Sequence, residues 1–306
     1  FLSVFMRSIG APAELSGDRS KIPAFSFPER AALALEAAVH YGEWLARPEG
    51  TIPELDGIDH DAARAGVDAA IDRLGETGGW LEPAEVEALF GAYGIAMPRS
   101  VVVTDREAAV QAAAEMGGPV VLKVIAPSAL HKSDVGGVAL DIRGDDAVAA
   151  AFDKVWGAVA DPDGVLVQEF VAGGHEVFIG MVEDPNFGPL LVFGLGGVFV
   201  ELIGDVAFRI HPLTDLDAAE MISEVKSARL LEGYRGGEPG DVAAVQETLL
   251  RISAMIGSLP EISEMDLNPV KVRPPGAGVT VVDARVRVRR VAETLLPTRD
   301  ALVSSV

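Results

Sequence analysis

PVVLKVIAPSALHKSDVGGV, residues 119–138, carries an apolar strand through Lys123 into a polar loop that holds a histidine and a glycine pair. Lys123 is a point charge suited to phosphate, His131 is an imidazole able to accept a phosphoryl group, and Gly136 and Gly137 let backbone approach a polyanion closely. Together they point to phosphoryl transfer. Lysine is scarce, six against nineteen arginines, which sets Lys123 and Lys132 apart from their surroundings. Taken alone, the stretch also reads as a strand, a polar loop and a second strand.

On either side of it, helix and strand patterns alternate. RSVVVT reads as a strand, DREAAVQAAAEMGG as a helix capped by Asp105, and a further helix runs through Phe152 and Trp156 to the strand VLVQEFV. The AGG at 172–174 reads as a tight turn, so VLVQEFV and HEVFIGMV are expected to pair as a hairpin. Strands follow in PLLVFGLGG and FVELIGDVAFRIHPL. Asp241 then caps a helix with Val245, Leu249, Ile252 and Ile256 on one face, and Gly257 reads as its stop. The expected class is α+β, a sheet backed by helices.

A second constellation lies in EISEMDLNPVKVRPPGAGVTVVDARV, residues 261–286. Period-two alternation puts Glu264, Asp266 and Asn268 on one face of a strand, with Met265 and Leu267 on the other. A turn centred on Pro275 and Gly276 sets Asn268 opposite Asp283, whereas a slip of one residue undoes the pairing. Mg²⁺ takes a few carboxylate or amide oxygens and leaves its other positions to water and phosphate, so an Asn and Asp pair suits a nucleotide metal. The same stretch also reads as a polar strand facing solvent.

Whole-chain properties narrow the classes. At 306 residues with 49% hydrophobic and 23% charged side chains, the chain has the composition of a soluble protein of two or three domains. A formal net charge of -21 argues against duplex nucleic acid or an anionic membrane surface as partner, and no window reaches the ~20 apolar residues of a membrane span. The absence of cysteine excludes disulfides, thiolate metal sites and thiol catalysis, and fits a cytoplasmic location. KIPAFSF reads as a buried strand, and the following helix spaces Ala31, Leu35, Val39 and Trp44 on one face. One strand and one helix cannot bury both faces, so the first fifty residues read as the closing unit of a larger upstream domain. PEGTIPELDGIDHD reads as a linker.

HKSDVGGV, VQEFVAGGHEVFIGM, FGLGGVFVE, LLEGYRG, EMDLNPVKV and VVDARV together resemble the ATP-grasp region of ADP-forming acetyl- and acyl-CoA synthetases, relatives of succinyl-CoA synthetase, over residues 76–290. The resemblance implies an ATP-grasp fold of two α+β subdomains preceded by the tail of a flavodoxin-like domain. Its divisions are the flavodoxin-like end at 1–48, a linker and helix at 49–75, a small subdomain at 76–163, a nucleotide and metal subdomain at 164–292, and a tail at 293–306. It implies that ATP or ADP lies between the subdomains. Lys123 would bind the phosphates, the hinge from Glu169 to Val171 the adenine, and Glu176 the ribose. Arg209 would neutralise phosphate charge, although it also reads as a surface arginine. Asn268 and Asp283 would hold Mg²⁺. His131 would relay a phosphoryl group, with Asp266 beside the phosphohistidine that arrives and Asp134 or Asp266 fixing the ring tautomer. His40, His60, His175 and His211 read as structural. The family's first phosphohistidine and its CoA-binding domain have no counterpart in the chain. The implied partners are therefore upstream CoA-binding and flavodoxin-like domains or an α-type subunit, with CoA and a small carboxylic acid as substrates; a homo-oligomer is also compatible. Two other readings stay open: a degenerate regulatory ATP-grasp region of an acetyltransferase-type protein, and an ATP-grasp ligase without a histidine relay.

Overall fold

The computed structural model describes residues 1–6, 22–126, 136–196 and 204–291, and the chain divides into two compact units, Phe1–Gly50 and Thr51–Val306. In the first, β1 (Ser3–Val4) and β2 (Ala24–Phe25) pair in parallel, and α1 (Pro28–Ala46) opens on a proline, whose fixed φ suits a first helical turn. The expected buried strand is two half-buried residues. On α1 only Ala31 is buried, whereas Leu35, Val39, Tyr41, Trp44 and Leu45 are exposed, Trp44 at 60%. Among the described residues of this unit, that apolar face stays largely uncovered.

The second unit holds two sheets. Its elements in order are α2 (His60–Leu74), β3 (Gly79–Trp80), α3 (Pro83–Ala92), β4 (Ser100–Val103), α4 (Arg106–Met116), β5 (Val120–Ile125), β6 (Val138–Ile142), α5 (Asp145–Trp156) and β7 (Gly164–Glu169). After these come β8 (His175–Asp184), β9 (Gly188–Leu195), β10 (Val206–Ile210), α6 (Asp215–Glu224), α7 (Val242–Ser258), β11 (Ile262–Val272), β12 (Val279–Val281) and β13 (Ala284–Val288). The smaller sheet is four-stranded, β4-β7-β5-β6, and antiparallel throughout. The larger is seven-stranded, β10-β9-β8-β11-β13-β3 with β12 also on β11.

Each sheet has its own core. In the smaller subdomain Ala109, Ala112, Phe152 and Val155 of α4 and α5 pack on Val120, Leu122, Val124, Val165 and Val167. In the larger, Val67 and Ile71, Leu89 and Phe90, Met221 and Ile222, and Leu249, Ile252 and Ile256 bring α2, α3, α6 and α7 onto Val177, Ile179, Met181, Met265 and Leu267. Polar side chains set the helix starts. Asp105 and Asp241 accept from Ala108 and Ala244 N–H, and Thr214 with Asp217 forms a capping box.

Several expectations change. β7 and β8 do not form a hairpin: β7 lies between β4 and β5, and the chain crosses to the larger sheet before β8. Gly173 and Gly174 have φ of 66° and 77°, and a Cβ at Gly174 would fall 2.8 Å from the Val272 carbonyl oxygen, so these glycines serve a close crossing. β3 and α3 belong to the larger sheet and its core, and β7 belongs to the smaller, so the smaller subdomain runs from β4 to β7 rather than over 76–163. The expected linker is docked. Thr51 N–H donates to Asp215 Oδ1 at 2.7 Å, Asp215 N–H returns to Thr51 O at 2.8 Å, and Arg251 donates to Asp56 O. Gly257 does not stop α7, which runs on to Ser258; a Cβ there would lie 3.2 Å from the His211 ring.

Candidate functional site

The 261–288 segment folds with the register its turn dictates. Val270 pairs with Val281, Lys271 with Thr280 and Val272 with Val279, and the same centre carries on through Leu267 with Ala284 and Asp266 with Arg285. Asn268 N–H donates to Asp283 O at 3.0 Å, so the two residues stand opposite each other as expected. At this point both strands change face. Met265 and Leu267 point into the core before the break and Val270 and Val272 after it, while Val281 and Val286 make the same change on the partner side. The extra residue against β8, between Leu267 and Val270, is where β11 absorbs the change. The hairpin is held from its far end by Asp241, whose Oδ2 accepts from Gly276 and Gly278 N–H at 2.8 and 2.9 Å.

Lys123 reaches this break from the smaller sheet. Its residue is 5% exposed, and Nζ donates to Val282 O at 3.0 Å and lies 3.6 Å from Asp283 Oδ2. Alternation on β5 and β7 puts Val121, Lys123, Leu166 and Gln168 together on the face away from α4 and α5. Two buried oxygens, Gln168 Oε1 and Asp266 Oδ1, have no hydrogen-bond partner among the described residues. Burial raises the Asp266 carboxyl above its ordinary range, the charge of Asp283 adds to this, and Arg285 across the strand pair opposes it. Tyr93 Oη and Glu261 Oε2 are the other such atoms among the described residues, and an unsatisfied buried acceptor is costly, so a donor or cation reaching Gln168 or Asp266 would be stabilised there.

The other expected residues are distributed along the same edge. Glu169 ends β7 with its carboxylate clamped by Arg99, Nε to Oε1 at 2.7 Å, while Arg99 also donates to Met116 O. Val171 follows in the crossing, half-buried. Glu176, the second residue of β8, faces Lys271 in the β8–β11 register and pairs with it at 2.7 Å. Arg209 is engaged elsewhere: Glu224 at 2.5 Å, Glu220 at 3.5 Å and Asp217 at 3.9 Å, all on α6, surround its guanidinium. His131 and Asp134 lie outside the described residues. His175 bonds Glu238 O, and His211 meets Ser253 Oγ with burial lowering its pKa.

Sequence reasoning did not find Arg99, Gln168 or Lys271. Lys271 becomes visible only once β8 is known to neighbour β11; Arg99 and Gln168 depend on which strand lies beside β7. Among the described residues no three His, Cys, Asp or Glu side chains converge for a metal. Asn268 and Asp283 together offer hard oxygen donors and leave most positions of an octahedral cation to other ligands, a set that fits Mg²⁺.

Residues 72–288 match the ATP-grasp domain family. The Pyrococcus furiosus protein "Acetate--CoA ligase [ADP-forming] I subunit beta" is 39% identical over 212 residues, 67% of this chain and 90% of that subunit. The Archaeoglobus fulgidus "Acetate--CoA ligase [ADP-forming] I" is 41% identical over 272 residues, 87% of this chain but 39% of that longer protein. Among solved structures, the dinucleotide forming acetyl-coenzyme A synthetase 1 of Ca. Korarchaeum cryptofilum, in complex with coenzyme A, Ca-AMPCP and HgCl+, superposes with a TM-score of 0.68 at 41% identity, covering 74% of this chain and 100% of that one. A second complex of it contains Mg-AMPPCP and has its phosphohistidine segment pointing towards the nucleotide binding site, with a TM-score of 0.64, 41% identity and the same coverage. With this fold, this hairpin and these relatives, the chain belongs to the ATP-grasp family, in the group that includes the β subunits of ADP-forming acetate–CoA ligases.

Proposed function

We propose that the chain is the nucleotide-binding part of an ADP-forming acyl-CoA synthetase, in which acid, CoA and ATP give acyl-CoA, ADP and phosphate. The observation that carries this reading is the convergence of Lys123, Asn268 and Asp283 at the break in the hairpin, where two sheets meet. The relatives' use of nucleotide analogues with a divalent cation supports it.

In this reading Lys123 binds the phosphate chain, backbone from Glu169 to Val171 meets the adenine edge, and Glu176 takes the ribose hydroxyls. The Arg99 clamp keeps the Glu169 carboxylate out of the base site and leaves the main chain to read the base. Asn268 and Asp283 hold Mg²⁺, which when bound neutralises phosphate charge. His131 in its neutral form accepts the phosphoryl group: a ring nitrogen lone pair forms the bond to phosphorus as the bond to the ADP oxygen breaks. Asp266, one of whose oxygens has no partner among the described residues, accepts from the N–H of the histidine that arrives from a partner domain. Arg209, enclosed by α6 carboxylates, holds that helix and stays out of the phosphate site. CoA, the acid and the first phosphohistidine belong to partner domains or an α-type subunit. Residues 1–48 are the end of a flavodoxin-like domain among them, a reading supported by the exposure of the apolar side chains of α1 among the described residues.

Calorimetric titration with ADP and ATP, with and without Mg²⁺, tests the reading. Metal-dependent binding is expected. No heat and no displacement of a fluorescent nucleotide at millimolar concentration would overturn it.

A further inference from the structure

We propose that Lys123 and Asp283 form a latch that makes metal binding conditional on nucleotide. This rests on the nucleotide site described above and concerns the order in which that site fills. The Lys123 ammonium lies 3.6 Å from Asp283 Oδ2 and donates to the carbonyl oxygen of the preceding residue, Val282, at 3.0 Å. An ammonium and a divalent cation on one carboxylate repel each other, so the first must leave before the second binds well.

The geometry limits how it can leave. β5 is bonded to β6 on one side and β7 on the other, and Asp283 is fixed through its carbonyl oxygen by Asn268 N–H. Within its own sheet neither strand is free to retreat. The flexible four-carbon stem of the lysine is the part able to move, and a phosphate chain in the cleft offers it a more highly charged partner. Nucleotide therefore draws the ammonium away and frees the Asp283 oxygen, whereas metal alone must compete with a side chain that is 5% exposed and already hydrogen-bonded.

The test is Mn²⁺ binding followed by the free-ion electron paramagnetic resonance signal, with and without ADP and corrected for Mn–ADP in solution. In the wild-type chain, Mn²⁺ alone should bind weakly and ADP should tighten it. Lys123→Met should bind Mn²⁺ alone about tenfold more tightly than wild type, the size of an ordinary coupling between contacting groups, and lose most of the tightening by ADP. Asp283→Asn should weaken Mn²⁺ in both backgrounds. A folded Lys123→Met chain whose affinity for Mn²⁺ alone is unchanged or lower overturns the latch, even where wild type binds ADP normally. Wild type that binds no ADP under any condition overturns the nucleotide reading and the latch with it. Lys123→Gln, which keeps a donor for Val282, gives the same comparison if the methionine variant folds poorly.

Discussion

Replacing Asp241 by alanine should cost the larger subdomain about 3 kcal/mol. The carboxylate has two tasks: Oδ1 caps α7 by accepting from Ala244 N–H, and Oδ2 gathers Gly276 and Gly278 N–H at the hairpin turn. A lost cap costs about 1 kcal/mol. A hydrogen bond to a charged acceptor contributes about 1.5 kcal/mol or more when buried, which applies best to Gly278; Gly276 is exposed, and water replaces most of its bond. Asp241 is itself only 8% exposed, so the methyl of alanine leaves these donors facing a poorly hydrated gap. Thermal unfolding followed by circular dichroism should show a fall of roughly 6 to 12 °C. The pH dependence separates charge from shape. Gly278 N–H, with Ala244 and Gly276, holds the Asp241 carboxyl below its ordinary range despite burial. A depressed folded pKa gives stability that is present above the unfolded value of about 3.9 and lost as pH falls through the folded one. The wild-type advantage over Asp241→Asn should therefore be constant near neutrality and shrink as pH falls below about 4. An alanine variant within about 0.5 kcal/mol of wild type, or an asparagine difference that ignores pH, would refute this account of the turn.

Arg209→Ala should lower stability by about 1 kcal/mol in a salt-sensitive way, because three α6 carboxylates lose a shared cation, and should leave nucleotide affinity unchanged. A loss of ATP affinity with adenosine affinity intact would return Arg209 to the phosphate site. His131→Ala should keep Mg-ADP binding in calorimetry and abolish acid-labile ³²P labelling of the assembled synthetase at that position; full labelling and turnover would remove the relay.

The hairpin at 261–288 was legible because its signals are local. Pro274, Pro275 and Gly276 fix the turn, the apolar residues alternate on either side, and the count from the turn brings Asn268 to Asp283. The change of face at that pair was not legible, because it is a three-strand event that includes a bulge against β8. The AGG before His175 misled for the opposite reason. It has the composition of a tight hairpin turn, yet sheet membership depends on partners far away in sequence, and β7 finds them in β4 and β5. Gly257 likewise resembled a helix stop and instead leaves room for the His211 ring. Arg209 stood in a stretch that matched the family, but its partners are the acidic residues one turn apart on the helix that follows.

The chain enters the smaller subdomain just after Ala96, whose carbonyl oxygen accepts from Val281 N–H, and leaves it at Glu169, whose N–H donates to Arg99 O. Both passages lie side by side and the Arg99 guanidinium rivets them together. Like a page bound along one margin, the subdomain has a single covalent edge, and a rigid movement of it reduces to rotation about that edge. Lys123 is the contact that reaches from that page to the hairpin: its ammonium sits on Val282 O at 3.0 Å, so this one distance reports whether the lysine is on the hairpin or has been drawn off it.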